Sequence, residues 1–152
     1  MKSRLFVVII AASMLFVMAL YFIVNPSYEK SLRAKYYYEV GEYTEAYNLA
    51  KEAFGIDLYN RMAATIMAQS QISLKYVAYI QEAKEYMKSI DAIAKHEQIS
   101  DVDRAKIKMM CNIMVGSYVK LAPSVVTDKE LVQEAAAYHA KFEKLLEKVT
   151  QN

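Results

Sequence analysis

The residues best suited to metal chemistry lie close together near position 110. Met109, Met110, Cys111 and Met114 offer three thioethers and one thiol, the ligand types that copper(I) prefers. Methionine is also a flexible filler of helical cores, and a lone cysteine usually behaves as a small buried hydrophobic side chain. Core packing is the favoured interpretation, so we predict neither a bound metal nor a cofactor.

The remaining polar side chains give little support to catalysis. His96 and His139 each lack a second histidine or a cysteine at metal-ligand spacing. Four carboxylates stand at helical surface spacing among lysines, as ion-pair partners on a solvated face do. These are Glu82, Glu85, Glu143 and Glu147. The sequence has no glycine-rich phosphate loop, nucleophile elbow or HExxH motif, and we predict that the protein is not an enzyme.

Tyrosine is the one unusually abundant residue type, with 13 in the chain. Tyr36, Tyr37 and Tyr38 are consecutive, so on a helix at least one ring points away from the core. Such rings either fill seams between helices and line a membrane interface, or form a surface that binds a partner protein. Seam packing is favoured. The weak candidates for protein binding are Tyr28, Tyr38, Tyr43 and Tyr47.

Residues 5–24 form an uncharged apolar segment whose only polar members are Ser13 and Tyr21. As a helix the segment is ~30 Å long, which matches the hydrocarbon core of a bilayer. A core helix of a soluble domain would carry a polar stripe. A cleaved signal peptide would end in small residues, and a lipoprotein needs a cysteine directly after the segment, whereas the chain has only Cys111. We predict a retained transmembrane anchor.

The charges around this segment predict its orientation. Lys2 and Arg4 precede it without an acidic residue, whereas residues 25–152 carry 17 basic and 17 acidic side chains. The positive-inside rule therefore favours a cytoplasmic segment 1–4 and an extracytoplasmic domain, which in a bacterium means the inner membrane and the periplasm. A neutral domain has no electrostatic footprint for nucleic acid, so the predicted partners are proteins and, through residues 5–24, lipid.

Composition favours an all-α fold. The whole chain has three glycines and two prolines, fewer than a fold of strands and tight turns requires. Residues 25–152 are enough for one domain with a single core. One cysteine excludes an internal disulfide framework.

Apolar periodicity predicts six helices after the anchor, in three antiparallel pairs. Ser27 is predicted to cap the first, whose stripe includes Tyr28, Leu32, Tyr36 and Val40. The helices are predicted to cover about 28–40, 43–57, 59–74, 77–96, 101–121 and 128–149.

Two further features concern the last helices. The sequences Ser100-x-x-Asp103 and Thr127-x-x-Glu130 predict capping boxes for the fifth and sixth helix. The fifth helix is apolar on two sides, which predicts that it lies between neighbouring helices. One side holds Val102, Ala105, Met109 and Ile113, and the other holds Ile107, Met110, Met114 and Tyr118.

The segment 41–60 resembles the second half of a tetratricopeptide repeat. The matching residues are Gly41-Glu42-Tyr43-Thr44-Glu45-Ala46, Ala53-Phe54, Ile56-Asp57 and Asn60. The resemblance implies a helical hairpin with its turn at a glycine and small or aromatic residues between the helices. The implied packing residues are Ala34, Tyr37, Gly41, Tyr43, Ala46 and Ala53. Lys30, Arg33 and Leu58 depart from the pattern, as suits an end repeat, and Lys75 stands where the next repeat would have its turn glycine.

The resemblance implies a right-handed solenoid or bundle that binds other proteins. The predicted function is therefore a membrane-anchored interaction module: a scaffold, an adaptor or a chaperone-like assembly factor. The alternative is a structural subunit permanently buried in a larger membrane or envelope complex.

Overall fold

The computed structural model describes residues 2–96 and 98–151, and for residues 2–5, 22 and 23 it describes the backbone alone. The described residues form six helices and no strand, which confirms the all-α prediction. The helices are α1 (Lys2–Val24), α2 (Pro26–Glu39), α3 (Tyr43–Ile56), α4 (Arg61–Ala94), α5 (Asp101–Tyr118) and α6 (Lys129–Gln151). Two predictions fall partly outside the described residues. The predicted loop at 96–99 includes Glu97, which is not described, and the predicted orientation of the anchor depends on Lys2 and Arg4, whose side chains are not described.

One residue, Asn25, separates α1 from α2. Its side-chain oxygen accepts a hydrogen bond from the Ser27 backbone N–H at 3.0 Å, and Pro26 occupies the first turn, where a missing N–H costs nothing. The prediction that Ser27 caps this helix is therefore wrong, because Ser27 lies buried inside α2. Among the described residues no single helix is long and apolar enough to cross a membrane, whereas Phe6–Tyr21 and Pro26–Glu39 reach that length and composition as a pair bent by 76°.

Helices α2 and α3 form a hairpin whose turn lies at Gly41, where the sequence predicts it. Gly41 has φ +85°, a left-handed conformation that glycine adopts without steric cost. The backbone N–H of Glu42 donates to the Tyr37 carbonyl at 2.9 Å, and the N–H of Gly41 donates to the Tyr38 carbonyl at 3.2 Å. These bonds close the end of α2 in the way that glycine C-caps do.

The buried face of α2 differs from the predicted apolar stripe. Its buried side chains are the small ones of Ser27, Ser31 and Ala34, whereas Leu32 and Tyr36 are exposed. Small side chains allow two helices to approach closely, and the serine hydroxyls are hydrogen-bonded in the interior, so their burial carries little penalty.

A single helix, α4, replaces the two helices predicted for 59–74 and 77–96. The predicted break near Lys75 does not occur, because the chain has neither glycine nor proline between Gly55 and Gly116, and lysine is a good helix former. In the described part of the chain, five helices therefore follow α1, and the prediction of three antiparallel pairs is wrong.

The chain forms two compact units, residues 1–70 and 71–152, and the division lies inside α4. We call them unit 1 and unit 2. Each has its own hydrophobic core. The core of unit 1 contains Ala34, Ala46, Leu49, Ala50 and Ile66. The core of unit 2 contains Tyr76, Tyr79, Ile80, Ala83, Ile90, Ile107, Cys111, Met114, Ala135 and Phe142.

The two predicted capping boxes of unit 2 have different outcomes. Ser100 caps α5 as predicted, since its hydroxyl oxygen accepts from the Asp103 N–H at 3.1 Å. Thr127 does not cap α6: its hydroxyl oxygen accepts from the Ser124 N–H at 2.8 Å. Asp128 accepts from the Glu130 N–H at 2.9 Å instead. A carboxylate next to the first turn also interacts favourably with the helix dipole, which explains why the cap lies one residue later than predicted.

Candidate functional site

The four tyrosines predicted as weak binding candidates all belong to unit 1. Tyr43 is buried, and its ring packs edge-to-face on that of Tyr38, with 5.4 Å between the centroids. Tyr28 and Tyr47 are half-buried, and the Lys51 ammonium lies 5.9 Å from the centroid of the Tyr47 ring. The rings of Tyr38 on α2 and Tyr43 on α3 thus pack against each other between the two helices. Of the three consecutive tyrosines, 36 to 38, Tyr36 is the exposed one.

The residues predicted to pack a repeat-like hairpin lie between α2 and its neighbours or in its turn. Ala34, Ala46 and Ala53 are fully buried. Tyr37 is half-buried against the core of unit 1. Tyr43 is buried and Gly41 forms the turn, so these residues lie inside the α2–α3 hairpin or at its turn. The likeness to a tetratricopeptide repeat stays a prediction.

The sulfur-containing residues of α5 do not converge on one point. Cys111 and Met114 are completely buried in the core of unit 2, whereas Met109 is 58% exposed on another face. Burial raises the pKa of the Cys111 thiol, because an apolar environment disfavours the thiolate. Among the described residues no group of three histidine, cysteine or acidic side chains is placed to hold a metal ion.

His139 has a packing environment instead of a ligand environment. Its ring stacks on that of Tyr118, with 4.1 Å between the centroids and 9° between the planes. Its Nε2 lies 3.4 Å from a carboxylate oxygen of Glu143, one helical turn along α6. His96 lies in the turn after α4 and is exposed.

The feature of unit 2 that offers a binding surface is the second apolar face of α5. Ile107, Cys111 and Met114 are buried, but Val102, Met109 and Ile113 are exposed. The prediction that α5 lies between neighbours on both sides is therefore wrong for this face. The physical reason is that, among the described residues of unit 2, the helices beside α5 are α4 and α6, which share a core with its buried side and leave Val102, Met109 and Ile113 in contact with solvent.

The exposed face of α5 borders a groove of about 490 Å³, which we call the α4–α5 groove. Helix α4 contributes one wall and α5 the other. The lining residues are Tyr86, Ser89, Ala92, Ile93, Lys106, Met109, Met110 and Ile113. The groove is thus mostly apolar and contains one charged side chain, that of Lys106, with two methionines whose flexible side chains adapt to the shape of a partner.

Tyr86 is the aromatic side chain of the α4 wall. Its interaction with the nearby Glu82 carboxylate is the main cause that raises the pKa of Tyr86, and desolvation adds to it. The phenol is therefore neutral at neutral pH and adds no charge to the groove.

The sequence contained part of the signal for this groove. The two apolar faces of α5 are visible from spacing alone, but Tyr86, Ser89 and Ile93 on α4 were not predicted as site residues. They share one face of α4 with helical spacing, and they become recognisable only when α4 is known to be continuous and packed beside α5.

In comparisons with known proteins, no family model, no curated protein and no solved structure matches this chain.

Proposed function

We propose that this protein is a membrane-anchored interaction module that binds a helix of a partner protein in the α4–α5 groove. The observation that carries the proposal is the unpaired apolar face of α5 beside that groove. Apolar side chains at successive helical turns, next to a preformed apolar trough, are the usual receptor for an amphipathic helix. Lys106 would pair with an acidic residue at the edge of that helix.

The exposure of α1 supports the anchor. Every described side chain from Phe6 to Tyr21 is exposed, and the large apolar ones are each 44% to 68% exposed. A helix that is apolar all round is stable only when lipid or protein surrounds it. The continuous part of α1 whose side chains are described, Phe6–Tyr21, does not reach the length of a span by itself. The proposal of a single span therefore rests on the whole apolar segment 5–24, which as a helix is ~30 Å long, the thickness of the hydrocarbon core of a bilayer.

The proposed location follows from the charges at the two ends of α1. Lys2 and Arg4 favour retention of the N-terminus in the cytoplasm, with residues 25–152 on the extracytoplasmic side, the periplasm in a bacterium. The α2–α3 hairpin is the only part for which we retain the proposed likeness to a tetratricopeptide repeat, since α4 is continuous where a second repeat would turn.

Site-specific photo-crosslinking in cells tests the proposal. A photoreactive amino acid at Ile113 of the full-length protein should give a discrete adduct with a partner protein. The same amino acid at Val125, a fully exposed valine outside the groove, serves as the matched control and should give none. Equal adducts from both positions, or none from Ile113, would contradict binding in this groove.

Charge substitution then measures the contribution of the groove to affinity. Met109→Glu should weaken the binding of the captured partner at least about tenfold, which corresponds to roughly 1.4 kcal/mol, because it places a carboxylate against an apolar helix face. Val125→Glu adds the same charge at an exposed position and should leave the dissociation constant unchanged. Titration calorimetry or surface plasmon resonance with the purified partner provides the measurement.

A further inference from the structure

The turn between α3 and α4 exposes large apolar side chains. We call residues 56–59 the 56–59 turn. Tyr59 is 91% exposed and Leu58 is 68% exposed, and Ile56 is exposed beside them. Turns are usually formed by glycine, proline and small polar residues. Here the last residue of α3 and two residues of the turn expose three large side chains within four positions, which calls for an explanation in terms of binding.

Hydrogen bonds fix the shape of this turn. A carboxylate oxygen of Asp57 accepts from the Tyr59 N–H at 2.9 Å, and the Asp57 carbonyl accepts from the Asn60 N–H at 3.1 Å. The next residue, Asn60, is completely buried, and its amide donates to the hydroxyls of Ser27 and Ser31 at 2.8 Å each. The turn is therefore attached to the first turns of α2, and its apolar side chains point outwards from a fixed base.

This attachment places the turn where α1 ends. Ile56 lines an apolar cavity of about 620 Å³ together with residues from the end of α1 and the start of α2. The others are Val17, Leu20, Tyr21, Val24, Asn25 and Pro26. The apolar side chains at the end of α1 and Ile56 of the 56–59 turn thus line the same cavity.

The direction of α2 shows that α2 does not extend the path of α1 in a straight line. The axis of Pro26–Glu39 makes an angle of 76° with that of Phe6–Tyr21. Five charged residues lie on α2, and its buried side chains belong to the core of unit 1. If α1 crosses the bilayer, α2 leaves it at the surface and runs along that surface.

We infer that the 56–59 turn inserts into the interfacial layer of the bilayer beside the point where α1 leaves it. The inference rests on the proposed anchor. Leu58 and Ile56 would contact the outer part of the acyl chains, and the Tyr59 ring would lie at the level of the headgroups, where tyrosine is enriched. The exposed guanidinium of Arg61 would lie near lipid phosphates. Unit 1 is then held on the membrane at two points, α1 and the turn.

Fluorescent probes on the full-length protein test this inference. An environment-sensitive dye is attached to Leu58→Cys or to Tyr59→Cys, each in a separate variant so that the other apolar side chain remains. The chain is reconstituted in phosphatidylcholine–phosphatidylglycerol vesicles. Thr44→Cys, exposed near the start of α3, is the aqueous control, and Val17→Cys reports on α1. The unsubstituted chain, whose only cysteine is buried, serves as the labelling blank.

We expect dyes at positions 58 and 59 to emit at shorter wavelength and to lose fluorescence to lipids with a spin label near the headgroup. The dye at position 44 should respond to aqueous iodide instead, and the dye at position 17 to lipids labelled deep in the acyl chain. If position 17 is quenched but 58 and 59 behave like 44, the anchor stands and the inference is overturned. If position 17 is not quenched, the anchor fails and the inference with it. If the dyes at positions 58 and 59 are quenched neither by iodide nor by spin-labelled lipid, the turn contacts protein instead of the bilayer, and the inference is overturned.

Discussion

At the scale of single residues, the side chain of Asn60 joins the beginning of α4 to the beginning of α2 by hydrogen bonds. Its carbonyl oxygen accepts from the Ala63 N–H at 3.1 Å, which caps α4, while its amide donates to Ser27 and Ser31. Ser27 in turn donates to the Ala53 carbonyl of α3 at 2.9 Å. Asn60 thus connects α4 to α2 directly, and Ser27 extends the same network to α3. Every polar atom named here has a partner, as buried polar groups require.

Replacement of this side chain should destabilise unit 1 markedly. We predict that Asn60→Ala lowers the free energy of unfolding by about 2 kcal/mol, because two serine hydroxyls and one helix N–H lose a partner. Hydrogen exchange of backbone amides in α2 and α3 measures the change. Asn48→Ala is the matched control, since Asn48 is exposed on α3, and it should alter stability by less than about 0.5 kcal/mol. Equal protection in both variants would contradict the assigned role of Asn60.

Tyr79 presents the opposite case in unit 2. Its hydroxyl is buried and has no hydrogen-bond partner among the described residues, and burial, followed by the neighbouring Tyr118, raises its pKa to about 12. A hydroxyl removed from water without a partner is unfavourable. We therefore predict that Tyr79→Phe leaves the stability of the full-length protein in detergent unchanged or raises it by up to about 1 kcal/mol. Denaturant unfolding followed by circular dichroism is the measurement.

The raised pKa of Tyr79 predicts that the stability of the protein falls as the pH rises above ~10. Below pH ~10, tyrosine is neutral in both the folded and the unfolded chain, so Tyr79 makes no pH-dependent contribution. Between pH ~10 and about 12 the unfolded chain ionises at this residue and the folded chain does not, so stability falls as pH rises. Tyr79→Phe should reduce that fall. An unchanged slope would show that burial does not raise the pKa of Tyr79. A loss of several kcal/mol of stability in the variant at neutral pH would show that the hydroxyl has a partner.

At the scale of elements, the α2–α3 hairpin depends on the left-handed conformation of Gly41. A Cβ at this position would meet no atom within 4 Å, so its cost would come from the backbone conformation alone. We predict that Gly41→Ala destabilises the protein by about 1 kcal/mol.

Gly55 provides the matched control in the neighbouring helix. It lies within α3, and a Cβ there also meets no atom within 4 Å. Gly55→Ala should therefore stabilise the protein by up to roughly 0.5 kcal/mol, since alanine favours a helix. Thermal unfolding of the two variants side by side distinguishes the effects, and a shift of both midpoints in the same direction would refute the account of the turn.

The same elements show which features sequence patterns predict. Gly41 and Ser100 have local requirements, a positive φ and a cap, so the turn after α2 and the start of α5 were predicted correctly. The break near Lys75 was expected from the resemblance to a repeat, but nothing in the local chain disfavours a continuous helix there. The predicted cap of α2, Ser27, lies two residues after the actual cap, Asn25. Ser27 is bonded across the core instead, and tertiary bonds leave no periodic signal.

At the scale of the whole molecule, periodicity predicts that a side chain sits on an apolar face but not whether another helix covers it. Two faces of α5 have the same apolar character, yet one is the core of unit 2 and the other borders the α4–α5 groove. Leu58 and Tyr59 belong to no periodic pattern, so their exposure in a turn whose first residue, Ile56, shares a cavity with the end of α1 could be found only in three dimensions. The fold class follows from local composition, whereas a site depends on which faces remain without a neighbour.

The chain's single thiol also bears on how the protein behaves in an oxidising compartment. Cys111 is enclosed in unit 2, so oxidised glutathione reaches its Sγ only when that unit opens. The Cys111 thiolate then attacks the glutathione disulfide and releases one glutathione as its thiolate. A mixed disulfide formed during such an opening would add a bulky group that the closed interior has no room for, and the molecule would be trapped in its open form. The rate at which cells accumulate this adduct would therefore record how often unit 2 opens in its natural setting.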